Sequence, residues 1–254
     1  MIIPRVSIKY RCVSYRVKFA HLFGLGWPEI IMLRFAACLL LSASFLLAAD
    51  APKSESVPES EFTPLCNGKD LTGWVGATAG YEVKDGVISF IKGKGGHIFT
   101  DKEYADFIFR FEFKLEPGSN NGVAVRAPLK GDPAYSGMEI QILDDGHPKY
   151  KGIHDYQSHG SVYGISPAKR GALKPAGEWN EEEIIANGRR IKVTVNGQVI
   201  NDVDLDEAAP GGKTIDGKNH PGMMNKTGHL GFAGHGDNVE FRNLRIKELN
   251  TEKK

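Results

Sequence analysis

The sequence has few cysteines and almost no net charge. Only three cysteines occur in 254 residues, and Cys12 and Cys38 both precede residue 50. If that segment is removed, Cys66 is alone and no intrachain disulfide can form. The formal net charge is +1, so electrostatics give no reason to expect nucleic acid or an anionic membrane as a partner.

The common catalytic and cofactor motifs are absent as well. The chain has no Gly-x-Ser-x-Gly, no phosphate loop and no dinucleotide fingerprint. It also lacks His-Glu-x-x-His and paired-cysteine zinc motifs. Residues 62–249 contain no long stretch with helical periodicity. A serine hydrolase, a nucleotide enzyme and a helical bundle are therefore disfavoured.

The first 49 residues are predicted to be an export segment. A start at Met32 is followed by an arginine, an apolar run from Phe35 to Leu47 and two alanines before Asp50. This order is typical of a secretory signal peptide, and the run is short for a membrane span. We expect a periplasmic or secreted protein without membrane contact after processing. A long leader that starts at Met1 is the alternative.

The remaining chain is predicted to hold one domain. Residues 50–61 are rich in Pro, Ser, Glu and Lys and are interpreted as a flexible linker. Residues 62–249 show no second linker and no repeat, and 250–254 form a polar tail.

Short strands with turn signals between them fill the domain. Residues 106–115 alternate, with four phenylalanines and a leucine on one face and charged residues on most of the other. Residues 183–203 form three short strands joined by Asn-Gly turns, and the final strand, 239–246, changes phase as if bulged. We predict an all-β fold, a two-sheet antiparallel jelly-roll sandwich, with a closed barrel as the alternative.

The strand over 138–143 is the most informative for chemistry. Met138, Ile140 and Ile142 share one face, and Glu139 and Gln141 share the other. Asp144 joins Glu139 only if a bulge intervenes. A pair of polar acid and amide side chains on one strand face favours a functional groove over an ordinary solvated surface, where Thr, Lys or Arg would be usual.

Other polar and aromatic side chains are candidates for the same groove. Arg126 has small neighbours, and either a sugar hydroxyl or a protein carboxylate could be its partner. His159 and His235 are suited to proton transfer near neutral pH. Tyr156, Tyr163 and Trp179 could stack on a sugar ring, although Trp179 could equally be core.

Several segments together resemble a known family. These are residues 62–74, 100–107, 120–126, 139–145, 162–164, 177–180, 235–236 and 239–243. In this order they resemble the 3-keto-disaccharide hydrolase family over the whole domain. The resemblance implies a concanavalin A-like lectin/glucanase architecture and a carbohydrate ligand. Asn121 and Asn180 lie within these motifs and, with Gln141, are expected to bind substrate. Ala233 departs from the family pattern, which usually has Gln there.

The resemblance also implies a reaction. A ketone at C3 of a sugar acidifies the proton on C2, so a base can remove it while the glycosidic oxygen leaves from C1, and water then adds. We expect Glu139 or His159 as the base, Arg126 as the stabiliser of the enolate, and Tyr163 or His235 as the acid. No cofactor is certain, but a divalent cation near Asp144 could replace Arg126. A sugar 3-oxidoreductase in the same pathway would supply the substrate.

Two other functions compete with this one. A laminarinase-like retaining glycosidase would use Glu139 and Asp144 as its two carboxylates, but Gln141 stands between them where such enzymes carry Asp. A carbohydrate-binding module or lectin would use the same groove without needing Glu139.

Overall fold

The computed structural model describes residues 57–249, and these form a nearly all-β domain. The strands are β1 (Thr63–Pro64), β2 (Trp74–Gly76), β3 (Tyr81–Lys84), β4 (Val87–Phe90), β5 (Gly96–Tyr104), β6 (Phe107–Leu115), β7 (Asn120–Ala127), β8 (Met138–Leu143), β9 (Trp179–Asn187), β10 (Arg190–Val195), β11 (Gln198–Asp204), β12 (Gly228–Gly234) and β13 (Val239–Glu248). Two short helices, α1 (Pro133–Ser136) and α2 (Leu205–Ala208), and several single 3₁₀ turns lie between them. No described helix is long and apolar enough to span a membrane.

The strands form two antiparallel sheets. The larger sheet has the order β11-β10-β9-β6-β13-β4-β3, with β1 added on β13, and the smaller has the order β2-β5-β12-β7-β8. Neighbours in the sheets are often distant in sequence, as in a jelly roll. The predicted two-sheet sandwich is confirmed, and the barrel alternative is wrong because the two sheets stay separate.

The core lies between the sheets and is rich in aromatic rings. The alternating phenylalanines of β6 are all buried there. Phe232 of the smaller sheet stacks on Phe241 of the larger one at 3.8 Å between ring centroids, and Trp74 stacks on Phe232 at 5.6 Å. Burial of such rings supplies much of the drive that holds one sheet on the other.

Local turn chemistry sets the registers as the sequence predicts. Asn196 and Gly197 both adopt positive φ between β10 and β11, which is the geometry of a tight hairpin turn. The register of β13 against β6 shifts between Arg242 and Arg245, where Asn243 has a φ of 53°. The bulge expected in the last strand is therefore present.

The predicted linker is partly folded. Residues 57–61 were assigned to it, but Glu59–Glu61 form a 3₁₀ turn, and Glu59 pairs with Arg110 and Arg245 at 2.6 Å each. Residues 59–61 thus belong to the folded domain, because these ion pairs attach them to the face of the larger sheet. The export segment with Met32, the rest of the linker and the polar tail lie outside the described residues.

Candidate active site

A polar pocket lies on the face of the smaller sheet that points away from the core. Strand β8 places Met138, Ile140 and Ile142 inward, each fully buried. The alternate positions, Glu139, Gln141 and Leu143, line the pocket. The two-residue period of a strand thus builds one wall of the site from the residues predicted for it.

Glu139 reaches across the neighbouring strand because that strand has a glycine opposite. Gly122 of β7 lies beside Glu139, and a Cβ atom at Gly122 would come within 2.0 Å of Glu139 Oε1. The carboxylate therefore occupies the space that any side chain at Gly122 would fill. On the same strand, Asn120 accepts a 2.6 Å hydrogen bond from Gln141 Nε2, which fixes the amide.

The segment after β8 returns along that strand and supplies the next wall. Gly160 N donates to Gln141 O at 2.8 Å, and Tyr163 N donates to Glu139 O at 2.9 Å. Tyr163 is thereby fixed beside Glu139, and its hydroxyl lies 3.4 Å from Gln157 Nε2. Burial raises the pKa of Tyr163, so its phenol stays protonated near neutral pH.

His235 faces Glu139 from the end of β12. Its Nε2 lies 3.3 Å from Glu139 Oε1, and its side chain is 41% exposed. The hydrogen bond with Glu139 raises the pKa of His235 and outweighs the opposing effect of burial, and Asp132 and Asp237 act in the same direction. His97 has a lowered pKa because of burial and of the nearby His235. The contact between His235 and Glu139 therefore favours an imidazolium at His235 beside the Glu139 carboxylate.

The short helix α1 supplies another wall of the pocket. Asp132 caps it by accepting from Ala134 N at 3.0 Å, and a proline at the first helical position favours its start. Asp132, Ala134 and Tyr135 all line the pocket. Lys218 Nζ donates to the Tyr135 hydroxyl at 2.8 Å from outside.

The complete pocket encloses a cavity of about 190 Å³. Its lining consists of Asn120, Asp132, Ala134, Tyr135, Glu139, Gln141, Leu143, Tyr150, Ile153, Gln157, Tyr163 and His235. Four of the predicted site residues, Glu139, Gln141, Tyr163 and His235, meet in it. Tyr156 lies next to it, edge-on to Tyr163 at 5.9 Å between ring centroids.

Comparison with known proteins identifies the family. The model of the 3-keto-alpha-glucoside-1,2-lyase-like domain matches residues 61–247. The chain belongs to this family. The resemblance found in the sequence is thereby confirmed, over the range predicted for it.

Three proteins that are similar to this chain cover most of its length. A 3-keto-disaccharide hydrolase of Bacteroides thetaiotaomicron is 29% identical over 231 residues, which cover 74% of this chain and 78% of that protein. A crystal structure from Parabacteroides distasonis, provisionally described as a glycosyl hydrolase, is 31% identical with a TM-score of 0.66 and covers 74% of this chain and 99% of that one. A second such structure from the same organism is 28% identical with a TM-score of 0.63, covering 76% and 98%.

His159 does not reach the pocket of this 3-keto-alpha-glucoside-1,2-lyase-like domain. It is buried between the sheets, stacked on Phe113 at 5.1 Å, and its Nε2 lies 3.3 Å from the fully buried Glu182. Burial raises the pKa of Glu182. His159 Nδ1 accepts from Leu143 N at 3.2 Å, so the ring supports β8 from the core side. Its prediction as a base is corrected, because the core encloses it.

Arg126 is also outside the pocket, at the end of β7. It donates to Ala105 O and Gly188 O at 2.8 Å each, and its Nη2 lies 2.7 Å from Asp106 Oδ1. Its φ of 50° breaks the alternation that would have aimed it at the Glu139 face. Its role as enolate stabiliser is therefore contradicted, and of the two partners considered for it the structure shows a protein carboxylate, that of Asp106.

Three predicted substrate contacts are structural instead. Asn121 is fully buried on the core face of β7. Asn180 is buried as well and holds two loops through Lys174 N and Asn196 Nδ2 at 2.8 Å each. Trp179 lies on the outer face of the larger sheet, under the guanidinium of Arg242 at 3.9 Å. These positions place all three away from the pocket lining.

Asp144 does not join Glu139 either. Strand β8 ends at Leu143 without a bulge, and Asp144 Oδ2 accepts from Gly118 N at 2.8 Å. The expected role of Asp144 beside Glu139 is contradicted, because its carboxylate is hydrogen-bonded to the backbone of the turn at Gly118. Within residues 57–249 no group of three or more His, Cys, Asp or Glu side chains is arranged to hold a metal ion.

Sequence reasoning missed several lining residues that local signals could have supplied. Val123 and Val125 are core residues, so the strand period puts Asn120, not Asn121, on the Glu139 face. The Asp132-Pro133 pair is a start signal for a short helix, which would have drawn attention to Tyr135. Tyr150, Ile153 and Gln157 lie in loops and carry no such signal.

Proposed function

We propose that this protein cleaves 3-keto-glycosides by removing the proton on C2 and eliminating the group at C1. The observation that carries the proposal is the Glu139–His235 pair, 3.3 Å apart, on the wall of a polar pocket. It gives the pocket a general base and a cationic donor side by side. The names of the family and of the Bacteroides relative support the same substrate class.

Glu139 is the base in this scheme. Its carboxylate is held over Gly122, on a rigid strand whose backbone also fixes Tyr163. The C2 proton of a 3-keto sugar is acidic because the resulting carbanion is an enolate. A positioned carboxylate then needs to supply only moderate basicity.

His235 stabilises the enolate in this scheme, which is the role that the sequence predicted for Arg126. Its raised pKa favours the imidazolium near neutral pH, and a cation is needed where the enolate oxygen gains charge. One ring nitrogen faces Glu139, which leaves the other to donate toward the C3 oxygen. The base and the electrophile thus act on adjacent sugar atoms, C2 and C3.

The lining favours a neutral sugar. Asp132 and Glu139 are carboxylates, and none of the described lining residues is Lys or Arg. A uronate or sulfated ring would place its charge beside these carboxylates, and the cation among the described lining residues, His235, is already paired with Glu139. We infer that the substrate is an uncharged glycoside, made by a sugar 3-oxidoreductase and met in the periplasm or outside the cell.

The direct test compares a 3-keto-glycoside with its unoxidised parent. Wild-type protein is expected to release the aglycone from the keto form alone, and Glu139→Gln to lose at least about 100-fold in rate. Parallel reactions with a chelator test for a divalent cation. Cleavage of the parent would instead favour a retaining glycosidase. Binding of both without cleavage would favour a carbohydrate-binding module.

A further inference from the structure

The pocket contains three tyrosines whose hydroxyls have different partners. Tyr150 donates to Gly118 O at 3.0 Å, so its proton is committed to a carbonyl. Tyr163 faces the neutral amide of Gln157 at 3.4 Å. Tyr135 accepts from the ammonium of Lys218 at 2.8 Å. An ammonium has only donors, so the proton of Tyr135 stays free to be donated elsewhere.

The ammonium of Lys218 at hydrogen-bond distance distinguishes the hydroxyl of Tyr135 from that of Tyr163. A positive charge at hydrogen-bond distance stabilises the phenolate that remains after proton transfer. The Tyr163 hydroxyl accepts from the neutral amide of Gln157 instead, and burial raises its pKa. His235 shares its proton with Glu139 and is needed as a cation.

The segment that carries Lys218 is built around a buried contact between Asp216 and His220. Asp216 Oδ1 accepts from Lys218 N at 3.0 Å and from Thr214 Oγ1 at 2.8 Å. Asp216 Oδ2 lies 3.0 Å from His220 Nε2, and both side chains are almost fully buried. This lysine is therefore presented by a fixed turn, although its own side chain is exposed.

The same histidine holds Tyr135. His220 Nδ1 lies 3.0 Å from the carbonyl oxygen of Ala134, and the ring packs on Tyr135 at 4.8 Å. The buried ring thus contacts the helix of Tyr135 on one side and Asp216 on the other, and it fixes that helix and the turn of Lys218 relative to each other.

We propose that Tyr135 is the catalytic acid that protonates the departing glycosidic oxygen, with Lys218 stabilising its phenolate. This assignment rests on the proposed function. The C2 proton passes to Glu139, its electron pair forms the C1–C2 double bond, and the C1–O pair leaves with the Tyr135 proton as an alcohol. Water then adds its hydroxyl to C1 and returns a proton to Tyr135, while Glu139 returns one to C2.

Leaving-group dependence tests this role. A methyl 3-keto-glucoside needs protonation of its leaving oxygen, whereas a 4-nitrophenyl 3-keto-glucoside does not. Tyr135→Phe is expected to lose at least about 100-fold on the methyl substrate and less than about tenfold on the nitrophenyl one. Lys218→Met is expected to show the same preference more weakly, and Lys218→Arg to restore most of the rate.

Controls separate the possible failures. Lys102 lies over the Tyr104 ring at 5.1 Å and is outside the pocket lining, so Lys102→Met is a matched variant that should match wild type. An equal loss on both substrates for Tyr135→Phe would overturn the role of acid, as would leaving-group dependence found in Tyr163→Phe instead. If wild type cleaves neither keto substrate, the proposed function itself fails. Lys218→Met changes an exposed side chain, so it keeps the test decisive even if Tyr135→Phe folds poorly.

Discussion

At the scale of single residues, the site depends on one missing side chain. Glu139 lies where a Cβ atom of Gly122 would be, 2.0 Å from its Oε1. The glycine on the neighbouring strand thus leaves open the space that the catalytic carboxylate occupies. The φ of Gly122 is not in the positive region, so the glycine is required by space and not by backbone conformation.

Gly122→Ala should therefore damage catalysis while leaving the fold intact. The new methyl group must displace the carboxylate, and a displacement of about 1 Å can cost about 100-fold in kcat/KM. Gly146→Ala is the matched control, because a Cβ there meets nothing within 4 Å. Steady-state kinetics with a 3-keto-glycoside measure the loss. A normal rate in Gly122→Ala would contradict the position assigned to Glu139.

His235 provides a second prediction at this scale. Its pKa is raised mainly by the hydrogen bond with Glu139, so it stays protonated above the ordinary histidine value of about 6.5. A cation that stabilises the enolate is lost as pH rises through that raised pKa. The cleavage rate should therefore fall as pH rises, with its midpoint at the raised pKa of His235.

An NMR titration of the His235 ring checks this without turnover. The midpoint should lie above about 6.5 in wild type and fall in Glu139→Gln, which removes the carboxylate charge. A midpoint unchanged by Glu139→Gln would show that the pair does not form in solution.

At the scale of elements, strand phase predicted the wall that β8 builds, whereas most of the other lining residues lie outside the strands. Strand β8 exposes Glu139 and Gln141 because its alternate residues are apolar and buried. The same reasoning applied to β7 excludes Asn121. Strand phase could not exclude Arg126. The positive φ of this residue redirects its side chain, and nothing in the sequence marks a positive φ at a residue other than glycine. Tyr135 and Tyr150 lie in short helical turns between strands, and the strand period gives no position for residues there.

The α1 wall gives a prediction about stability. Asp216 and His220 form a buried pair, and breaking it by Asp216→Asn should lower the free energy of unfolding by about 3 kcal/mol. Asp206→Asn removes an exposed partner of Arg189 and should cost less than about 1 kcal/mol. Thermal or denaturant unfolding at neutral pH compares the two. Equal small effects would show that the buried pair does not hold α1.

The difference in stability between wild type and Asp216→Asn should depend on pH in a defined direction. Burial acts to raise the pKa of Asp216, but the hydrogen bonds from Lys218 N, His220 and Thr214 outweigh it, so the pKa is lowered. Its contribution is then fully present above the unfolded-state value, about 3.9, and is lost as pH falls through the lowered folded value. Wild type and Asp216→Asn should converge in stability only in strong acid.

At the scale of the whole molecule, alternating hydrophobicity and Asn-Gly turns were enough to predict a two-sheet sandwich. Side-chain burial follows the strand period in β6 and β10 almost without exception. The division of strands between the sheets was not predictable in this way, because pairs such as β6 with β13 join residues far apart in sequence. The pocket is a product of that topology: β12 brings His235 beside β7, and β7 lies beside β8 with Glu139.

The central claim is that the bond between C2 and its hydrogen is broken during cleavage. The most direct measurement is cleavage of a protiated 3-keto-glycoside in D₂O, with the hydrogen at C2 of the early product read by NMR. A control sample of product, incubated with enzyme under the same conditions, corrects for later exchange. Elimination followed by hydration predicts deuterium at C2 in the released sugar, because the proton on Glu139 exchanges with solvent before one is returned to C2. Protium retained at C2, together with no primary isotope effect for a substrate deuterated at C2, would show direct substitution at C1 and contradict the account.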